Sequence, residues 1–197
     1  TTFLNSVIEN IPIMVFVKDA KDLKWIRWNK AGEETIGFSR EELIGKSDSD
    51  IFPKEEADFF NRIDREALQS GELIDTPEEM VHTRHKGLRI FHTLKVPILD
   101  AEGKPQYLVG MSEDITERKR AEIDASRTQA FLDSVVENIP ITVFIKKADD
   151  LSFIRWNRAG EESTGVKNEE IIGKTDYDFF PKEEAEFFIA KDREALA

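Results

Sequence analysis

The chain has 197 residues, of which 40% are hydrophobic and 35% are charged, a composition that is typical of folded domains and excludes a disordered polypeptide. Its formal net charge of −12 argues against a nucleic-acid partner, because phosphate binding needs a basic face. The absence of cysteine excludes disulfides and thiolate ligands, and the apolar runs are too short to span a bilayer. Together these features predict a cytoplasmic protein with no membrane contact in this part of the chain.

The chain begins with a predicted helix and a predicted β-hairpin. Apolar residues recur at helical spacing from Phe3 to Ile11, and Pro12 ends the helix. Ile13–Lys18 and Lys24–Trp28 are rich in β-branched and aromatic residues and are separated by a polar turn. This pattern predicts two antiparallel strands.

Three helices are predicted next. Asn29 can cap a short helix that Gly37 ends, and Ser39 with Glu42 forms a capping box for a second short helix. A longer helix over residues 54–70 carries an apolar stripe.

Three further strands are predicted at Ile74–Arg84, Leu88–Leu99 and Gln106–Ile115. Short turns separate them, so neighbouring strands run antiparallel. Two strands, several helices and three strands in this order predict an α+β fold. Its sheet has five antiparallel strands, with helices packed on one face.

The first part of the chain recurs 128 residues later. Phe3 recurs as Phe131 and Trp28 as Trp156, without insertions or deletions, and most of the paired residues are identical. A period this long predicts tandem domains rather than a solenoid, whose repeats span about 20–50 residues. The second copy stops before the last three predicted strands, so we expect a fragment of a longer protein.

The segment GMSEDITERKRAE, residues 110–122, ends the fifth predicted strand with Asp-Ile-Thr and continues as a charged helix. This segment resembles the PAC segment at the end of a PAS domain. Four earlier motifs follow the order of that family: Trp28–Ala31, Glu41–Lys46, Asp50–Pro53 and Asp100–Gly103. The resemblance implies a complete PAS domain with its PAC segment at residues 1–117. It also implies a linker or signalling helix at 115–138 and the N-terminal part of a truncated second PAS domain at 129–197.

The resemblance implies a sensory or interaction module of a bacterial signalling protein, with an output domain that is a histidine kinase or a diguanylate cyclase. A haem-binding PAS domain would need an axial histidine on the long helix, and residues 54–70 contain none. A flavin–cysteinyl adduct, as in light-oxygen-voltage domains, needs a cysteine, and so does a covalent chromophore like that of photoactive yellow protein. The chain contains no cysteine, so both are excluded. A non-covalent flavin and a small organic ligand remain open, so the cofactor is unknown.

PAS domains enclose a small cavity between sheet and helices, and here we expect apolar walls with few polar groups. The predicted lining comprises Phe16, Ile26, Phe59, Ile63 and Phe91. Such a cavity would suit a small, mostly apolar ligand or remain empty. The same aromatic stripe could also be ordinary core, which is the commoner role of such residues.

No catalytic constellation and no metal site are predicted. His82, His85 and His92 lie on or beside one hairpin, and a turn centred near Gly87 would place His82 opposite His92. Two imidazoles could begin a metal site, but no third ligand converges on them. The adjacent glutamates at 33–34 and 55–56 point about 100° apart on a helix, so a solvated surface is their expected role.

Signal relay is predicted at Asp114, Ile115, Thr116 and Glu117, where the sheet meets the C-terminal helix. Beyond them the small or apolar residues Ala121, Ala125, Thr128, Leu132, Val135 and Ile139 recur at steps of four and three. This heptad pattern predicts a homodimer through parallel linker helices. The alternative to this seam is that Leu132 and Val136 pack on their own second domain, as Leu4 and Ile8 do on the first. For the function, the alternative to a ligand sensor is an unliganded PAS element that serves dimerisation or acts as a scaffold.

Overall fold

The computed structural model describes residues 2–196, which form two compact units. The first unit ends at Ala121 and the second begins at Glu122. The first unit contains α1 (Thr2–Asn10), β1 (Met14–Asp19), β2 (Trp25–Trp28), α2 (Lys30–Ile36), α3 (Arg40–Leu43), a 3₁₀ helix (Asp48–Asp50), α4 (Lys54–Ser70), β3 (Ile74–Thr83), β4 (Gly87–Leu99) and β5 (Pro105–Asp114). Helix α5 (Thr116–Asn138) begins at the end of β5.

The five strands of the first unit form one antiparallel sheet in the order β2-β1-β5-β4-β3. The N-terminal hairpin therefore pairs with the last strand, and β1 lies at the second position of the sheet. Helix α4 packs against β3, β4 and β5, and α2 packs against β1. The predicted α+β fold, a five-stranded antiparallel sheet with helices, is confirmed.

The hydrophobic core lies between the sheet and these helices. Its aromatic part centres on Phe16, Trp25 and Trp28, all at most 4% exposed. The two indole rings meet edge to face at a centroid distance of 5.0 Å, a favourable arrangement for aromatic pairs. Phe52 and Phe60 extend the core toward α4.

The buried Asn29 joins the N-terminal elements. Its side-chain oxygen accepts hydrogen bonds from Val15 N at 2.9 Å and from Gly32 N at 3.1 Å, so it caps α2 as predicted. Its amide group donates to the carbonyl oxygens of Ile8 and Ile13. All its hydrogen-bonding groups are thus used, which suits a fully buried side chain.

The second unit repeats the first elements of this plan. It contains β6 (Phe144–Lys146), β7 (Phe153–Trp156), α6 (Arg158–Thr164), α7 (Asn168–Ile171), a 3₁₀ helix (Asp176–Asp178) and α8 (Lys182–Leu196). Asn157 makes the same four kinds of hydrogen bond as Asn29. Within the part of the chain that the structure describes, β6 pairs with β7 alone. No helix in residues 2–196 has the length and apolar character needed to cross a membrane.

Candidate functional site

A small cavity lies between the sheet and the helices of the first unit. Its volume is about 30 Å³, room for about two or three water molecules. The apolar part of its wall is formed by Met14, Phe16, Trp25, Trp28, Ile36, Phe52, Phe60 and Val81. The polar part is formed by Lys18, Asp48, Glu79, Lys95 and Ser112. The cavity therefore presents charged groups as well as aromatic rings to anything that it holds.

Of the five residues predicted to line the cavity, some lie in or near its wall and one lies at the surface. Phe16 lies in the cavity wall, as predicted. Phe91 is completely buried in the surrounding core, and Phe59 is half-buried against it. Ile63 is buried on α4. Phe59, Ile63 and Phe91, which were predicted to line the cavity, thus pack near it but do not form its wall.

The prediction is wrong for Ile26, whose side chain is 42% exposed on β2. The cause is a β-bulge between β1 and β2. Phe16 pairs with Trp28 and Lys18 pairs with Trp25, so the register skips Ile26. The bulge turns both tryptophans into the core and leaves Ile26 outside.

The polar part of the wall belongs to an ionic cluster of Lys18, Asp48, Asp64, Glu79 and Lys95. Lys18 Nζ lies 2.5 Å from Asp48 Oδ2 and 2.6 Å from Asp64 Oδ2. Lys95 Nζ lies 2.6 Å from Asp64 Oδ1 and 3.6 Å from Glu79 Oε1. Every side chain in the cluster is at most 5% exposed. Asp64 thus joins the two lysines, with one carboxylate oxygen on each.

The cluster shifts the pKa values of its members in different directions. Burial alone would raise the pKa of Asp64, but its contacts with Lys18 and Lys95 outweigh burial and hold that pKa below its ordinary value. Burial would likewise lower the pKa of Lys95, yet Asp64 and Glu79 raise it. Asp48 behaves differently, because burial raises its pKa and the attraction of Lys18 opposes this only in part.

Hydroxyl groups extend the cluster across the sheet. Thr93 Oγ1 donates to Glu79 Oε2 at 2.6 Å and lies 2.9 Å from Ser112 Oγ. Lys18 Nζ also lies 4.4 Å from the centre of the Trp25 ring, within the range of a cation–π contact. The connected polar groups therefore tie α4 and the first 3₁₀ helix to β1, β3, β4 and β5.

The second unit contains the equivalent of part of this cluster. Lys146 Nζ lies 2.8 and 2.7 Å from the two carboxylate oxygens of Asp176 and 2.6 Å from Asp192 Oδ2. These residues stand 128 positions after Lys18, Asp48 and Asp64. They line a hollow of about 350 Å³, and the Asp192 side chain is 23% exposed. Asp192 of the second triad is therefore partly exposed, whereas every side chain of the first cluster is buried.

The residues predicted to relay a signal meet β4 at the start of α5. Thr116 donates to Asp114 Oδ1 from its backbone nitrogen at 3.0 Å and from its hydroxyl at 2.5 Å. The same hydroxyl accepts a hydrogen bond from Ile90 N at 2.9 Å. Arg89 donates to Asp114 Oδ2 and to Glu117 Oε1, both at 3.0 Å. These contacts, here called the α5 junction, connect the helix to two strands.

The α5 junction is buried where it joins the sheet. Ile115 is 3% exposed, and its backbone nitrogen donates to Ile90 O. Burial alone would raise the pKa of Asp114, but hydrogen bonds from Thr116 and the charge of Arg89 hold that pKa below its ordinary value. Asp114 is therefore an ionised acceptor at neutral pH.

The three histidines do not share a site. Thr83 pairs with Gly87 across the turn, so His82 lies opposite Leu88 and not opposite His92. The turn is therefore centred on His85 and not near Gly87. The hydroxyl of Thr83 stabilises it, since Oγ1 accepts a hydrogen bond from Lys86 N and donates one to Gly87 O. In residues 2–196, no group of three or more histidine and carboxylate side chains could hold a metal ion.

A sequence model of the family described as PAS fold matches residues 8–120 and again residues 136–197. The chain belongs to the PAS fold family. Its two matches fall in the two compact units. No curated protein is significantly similar to the chain.

Solved structures share the PAS fold with this chain at low sequence identity. An RNA-binding light-oxygen-voltage receptor aligns with a TM-score of 0.54 at 16% identity, over 66% of this chain and 37% of its own length. The PAS domain of a protein from Colwellia psychrerythraea has a TM-score of 0.52 and 18% identity, over 59% and 97% of the two chains. The PAS domain of Bordetella pertussis BvgS has a TM-score of 0.51 and 20% identity, over 66% and 96%. These similarities establish the fold alone.

Sequence reasoning missed the ionic cluster of the first PAS unit, although two signals were available. Asp64 lies within the apolar stripe of α4. It follows Phe60 by four residues and Ile63 by one, and it precedes Ala67 by three. The triad that includes Lys18 also recurs unchanged in the second copy. Arg89 of the α5 junction had no such signal, because its partners depend on the pairing register of β4 and β5.

Proposed function

We propose that this chain is the sensory and signal-relay part of a multidomain bacterial signalling protein whose output domain is a histidine kinase of a two-component system. The first PAS unit receives a small ligand or a protein partner, and α5 passes the resulting conformational change to the output domain. The chain itself acts without catalysis, in the cytoplasm. The α5 junction is the single observation that carries this proposal.

The α5 junction supports relay because it holds the first turn of α5 to two neighbouring strands, while Lys119 on the same turn lies 2.7 Å from Glu78 Oε1 on β3. Thr116 is held by Asp114 from β5 and by Ile90 from β4, while Arg89 on β4 reaches both Asp114 and Glu117. A shift of β4 against β5 would therefore change the direction in which α5 leaves the sheet. Charge-assisted hydrogen bonds are directional, which makes such a junction sensitive to small displacements.

The ligand expected at the cavity differs from the one that the sequence predicted. A drug-sized molecule needs about 300–1,000 Å³, whereas the cavity has about 30 Å³. Its charged wall also favours polar contacts over the mostly apolar ones expected. We therefore propose a ligand of a few heavy atoms with hydrogen-bonding groups.

The small cavity also favours a second candidate function, an unliganded dimerisation and relay element. Phe131, Leu132 and Val135 on α5 are 66%, 51% and 43% exposed. Leu132 is therefore available to the predicted seam between two parallel helices, whereas Val136 is half-buried. In this version the homodimer, and not a ligand, sets the state of the output domain, which could equally be a diguanylate cyclase.

The test fuses this chain to the transmitter domain of a histidine kinase and measures autophosphorylation. Thr116→Val keeps the side-chain shape but removes the hydroxyl, and Asp114→Asn removes the charge. Glu113→Gln is the matched control, because Glu113 is exposed beside Asp114. We expect both junction variants to change the autophosphorylation rate several-fold and the control to leave it unchanged. Rates equal to that of the unaltered fusion in all three would refute relay through this junction.

Mass spectrometry of small molecules extracted from the purified chain separates the two candidates. A stoichiometric molecule that is lost when Ser112→Val removes a polar group from the cavity wall supports a ligand sensor. An extract without any such molecule, combined with a dimer in solution, supports the unliganded element.

A further inference from the structure

Three side chains in the cavity wall of the first PAS unit each carry a buried polar atom without a hydrogen-bond partner in residues 2–196. The atoms are Trp25 Nε1, Asp48 Oδ1 and Glu79 Oε1. The three residues are at most 4% exposed. An unpaired polar atom in the interior costs free energy, and folded proteins leave few of them. Because all three side chains border one cavity, a molecule in that cavity can pair with all of them.

The protein contacts of the two carboxylates use only one oxygen of each. Asp48 Oδ2 lies 2.5 Å from Lys18 Nζ, and Glu79 Oε2 accepts a hydrogen bond from the Thr93 hydroxyl at 2.6 Å. Lys95 Nζ is 3.6 Å from Glu79 Oε1, which is too far for a hydrogen bond. One oxygen of each carboxylate therefore remains for a hydrogen-bond donor in the cavity.

The unpaired atoms specify the hydrogen-bonding groups of a matching ligand. The two carboxylate oxygens accept, whereas the indole nitrogen only donates. A matching ligand thus has two donors and one acceptor. A primary amide has this set, with two N–H groups on its nitrogen and a carbonyl oxygen. The smallest one, formamide, has about three heavy atoms, which suits a cavity with room for two or three water molecules.

We propose that the cavity of the first PAS unit binds a small primary amide, whose N–H groups donate to Asp48 and Glu79 and whose carbonyl accepts from Trp25. This inference rests on the proposed ligand-sensing function and names the class of its ligand. The three residues lie on the first 3₁₀ helix, β3 and β2. A bound amide therefore connects three elements around the cavity.

Other small molecules match the wall less well. A carboxylate such as formate has no donor, and it brings a further negative charge to a cluster in which three carboxylates already face two ammonium groups. An ammonium ion has no acceptor for the Trp25 indole, and it meets the charges of Lys18 and Lys95 in the same wall. An apolar molecule leaves all three atoms unpaired. Water has both kinds of group, so it is the competitor that the amide displaces.

Formamide is the probe, and the indole N–H group of Trp25 in the unaltered 197-residue chain is the reporter. The chain has three tryptophans and thus three indole signals in its ¹H–¹⁵N spectrum, and Trp25→Phe identifies the signal of Trp25. We expect formamide to shift this signal in a saturable way. The signal of Trp156 should stay in place, because the described part of the second unit has no counterpart of Glu79. Sodium formate, which has the same size without donors, should leave the Trp25 signal unchanged.

Glu79→Gln tests the contact with the amide nitrogen. Because Thr93 donates to one oxygen at this position, the glutamine keeps its carbonyl there and turns its NH₂ group toward the cavity. Two donors then face each other, so the dissociation constant of formamide should rise about tenfold or more. Glu78→Gln is the matched control, because the Glu78 side chain on the same strand is 58% exposed. This variant should bind formamide like the unaltered chain.

Three results would overturn the proposal. The first is binding of formate as tight as that of formamide. The second is a linear shift of equal size at Trp25 and Trp156, which is an effect of the solvent. The third is a cross-peak between water and the Trp25 indole that formamide does not remove, which would show that the cavity holds water only.

The comparison of formamide with formate uses the unaltered chain, so it decides the question even if Glu79→Gln does not fold. It is also independent of the relay. A chain that fails to bind formamide can still pass a signal through the α5 junction, which the autophosphorylation of the Thr116→Val fusion measures. A fusion that shows no relay can likewise still bind formamide.

Discussion

Replacement of Lys18 by methionine tests whether the ionic cluster stabilises the first PAS unit. Methionine has a similar length and removes the charge, so Asp48 and Asp64 each lose a contact of 2.5–2.6 Å. Removing one partner from a buried ion pair costs about 3–5 kcal/mol, because the remaining charge is left without compensation. We expect Lys18→Met to lower the free energy of unfolding by about that amount.

Urea unfolding in a Trp156→Phe background measures this loss, because the fluorescence then comes from Trp25 and Trp28 in the first unit. Lys24→Met is the control. Lys24 is 53% exposed and forms a surface pair at 3.4 Å, a kind of contact worth at most about 1 kcal/mol.

A second substitution shows whether the loss is electrostatic. Lys18→Met with Asp64→Asn leaves Lys95 facing Glu79 and removes one ammonium and one carboxylate together. We expect this pair to recover about 1–3 kcal/mol of the single-variant loss, a coupling typical of residues in one network. A Lys18→Met loss below about 1 kcal/mol, or no recovery in the double variant, would show that solvation or packing and not the ionic cluster determines stability here.

Three further predictions concern the sheet and α5. A Cβ at position 110 would lie 1.9 Å from Phe16 Cζ, so Gly110→Ala should cost about 1–3 kcal/mol in thermal unfolding, and Phe16→Leu in the same chain should restore part of it. The pKa of Asp114 is lowered in the folded chain, so the stabilisation that its charge provides is present at neutral pH and is lost as pH falls through the folded pKa. Asp114→Asn should therefore lower the free energy of unfolding by about 1–2 kcal/mol at neutral pH. In urea unfolding at acid pH, the difference between the variant and the unaltered chain should vanish. Inserting two residues after Arg120 rotates the rest of α5 by about 200°, whereas inserting seven residues rotates it by about two full turns. In a kinase fusion, only the two-residue insertion should therefore change the autophosphorylation rate. Equal responses to the two insertions would show that α5 is only a tether.

The order and type of the elements could be predicted because each has a local cause. Asn29 caps α2, the box of Ser39 and Glu42 begins α3, and Gly37 ends α2 in a left-handed conformation with φ of 89°. Local signals of this kind are independent of tertiary contacts. The family resemblance rested on the same segments, which is why the fold was predicted correctly.

The site could be predicted less well because it depends on register. Strict alternation on β2 places Ile26 on the same face as Trp28, whereas the bulge places Trp25 there. A one-residue irregularity of this type exchanges the two faces of a strand, and nothing in the local sequence marks it. The mistaken pairing of His82 with His92 has the same origin, since a shift of the turn centre by two residues changes every partner along the hairpin.

The ionic cluster and the α5 junction meet on one strand, which gives the proposed relay a physical route. β4 holds Lys95 on its inner side, in contact with Asp64 of α4, and Arg89 near its start, in contact with Asp114 and α5. Apolar contacts tolerate sliding because they have no direction, whereas these charged contacts are satisfied in one position only. A ligand that contacts the cluster from the cavity would therefore alter the preferred position of α4 against β4. Arg89 would carry the displacement of β4 to the first turn of α5.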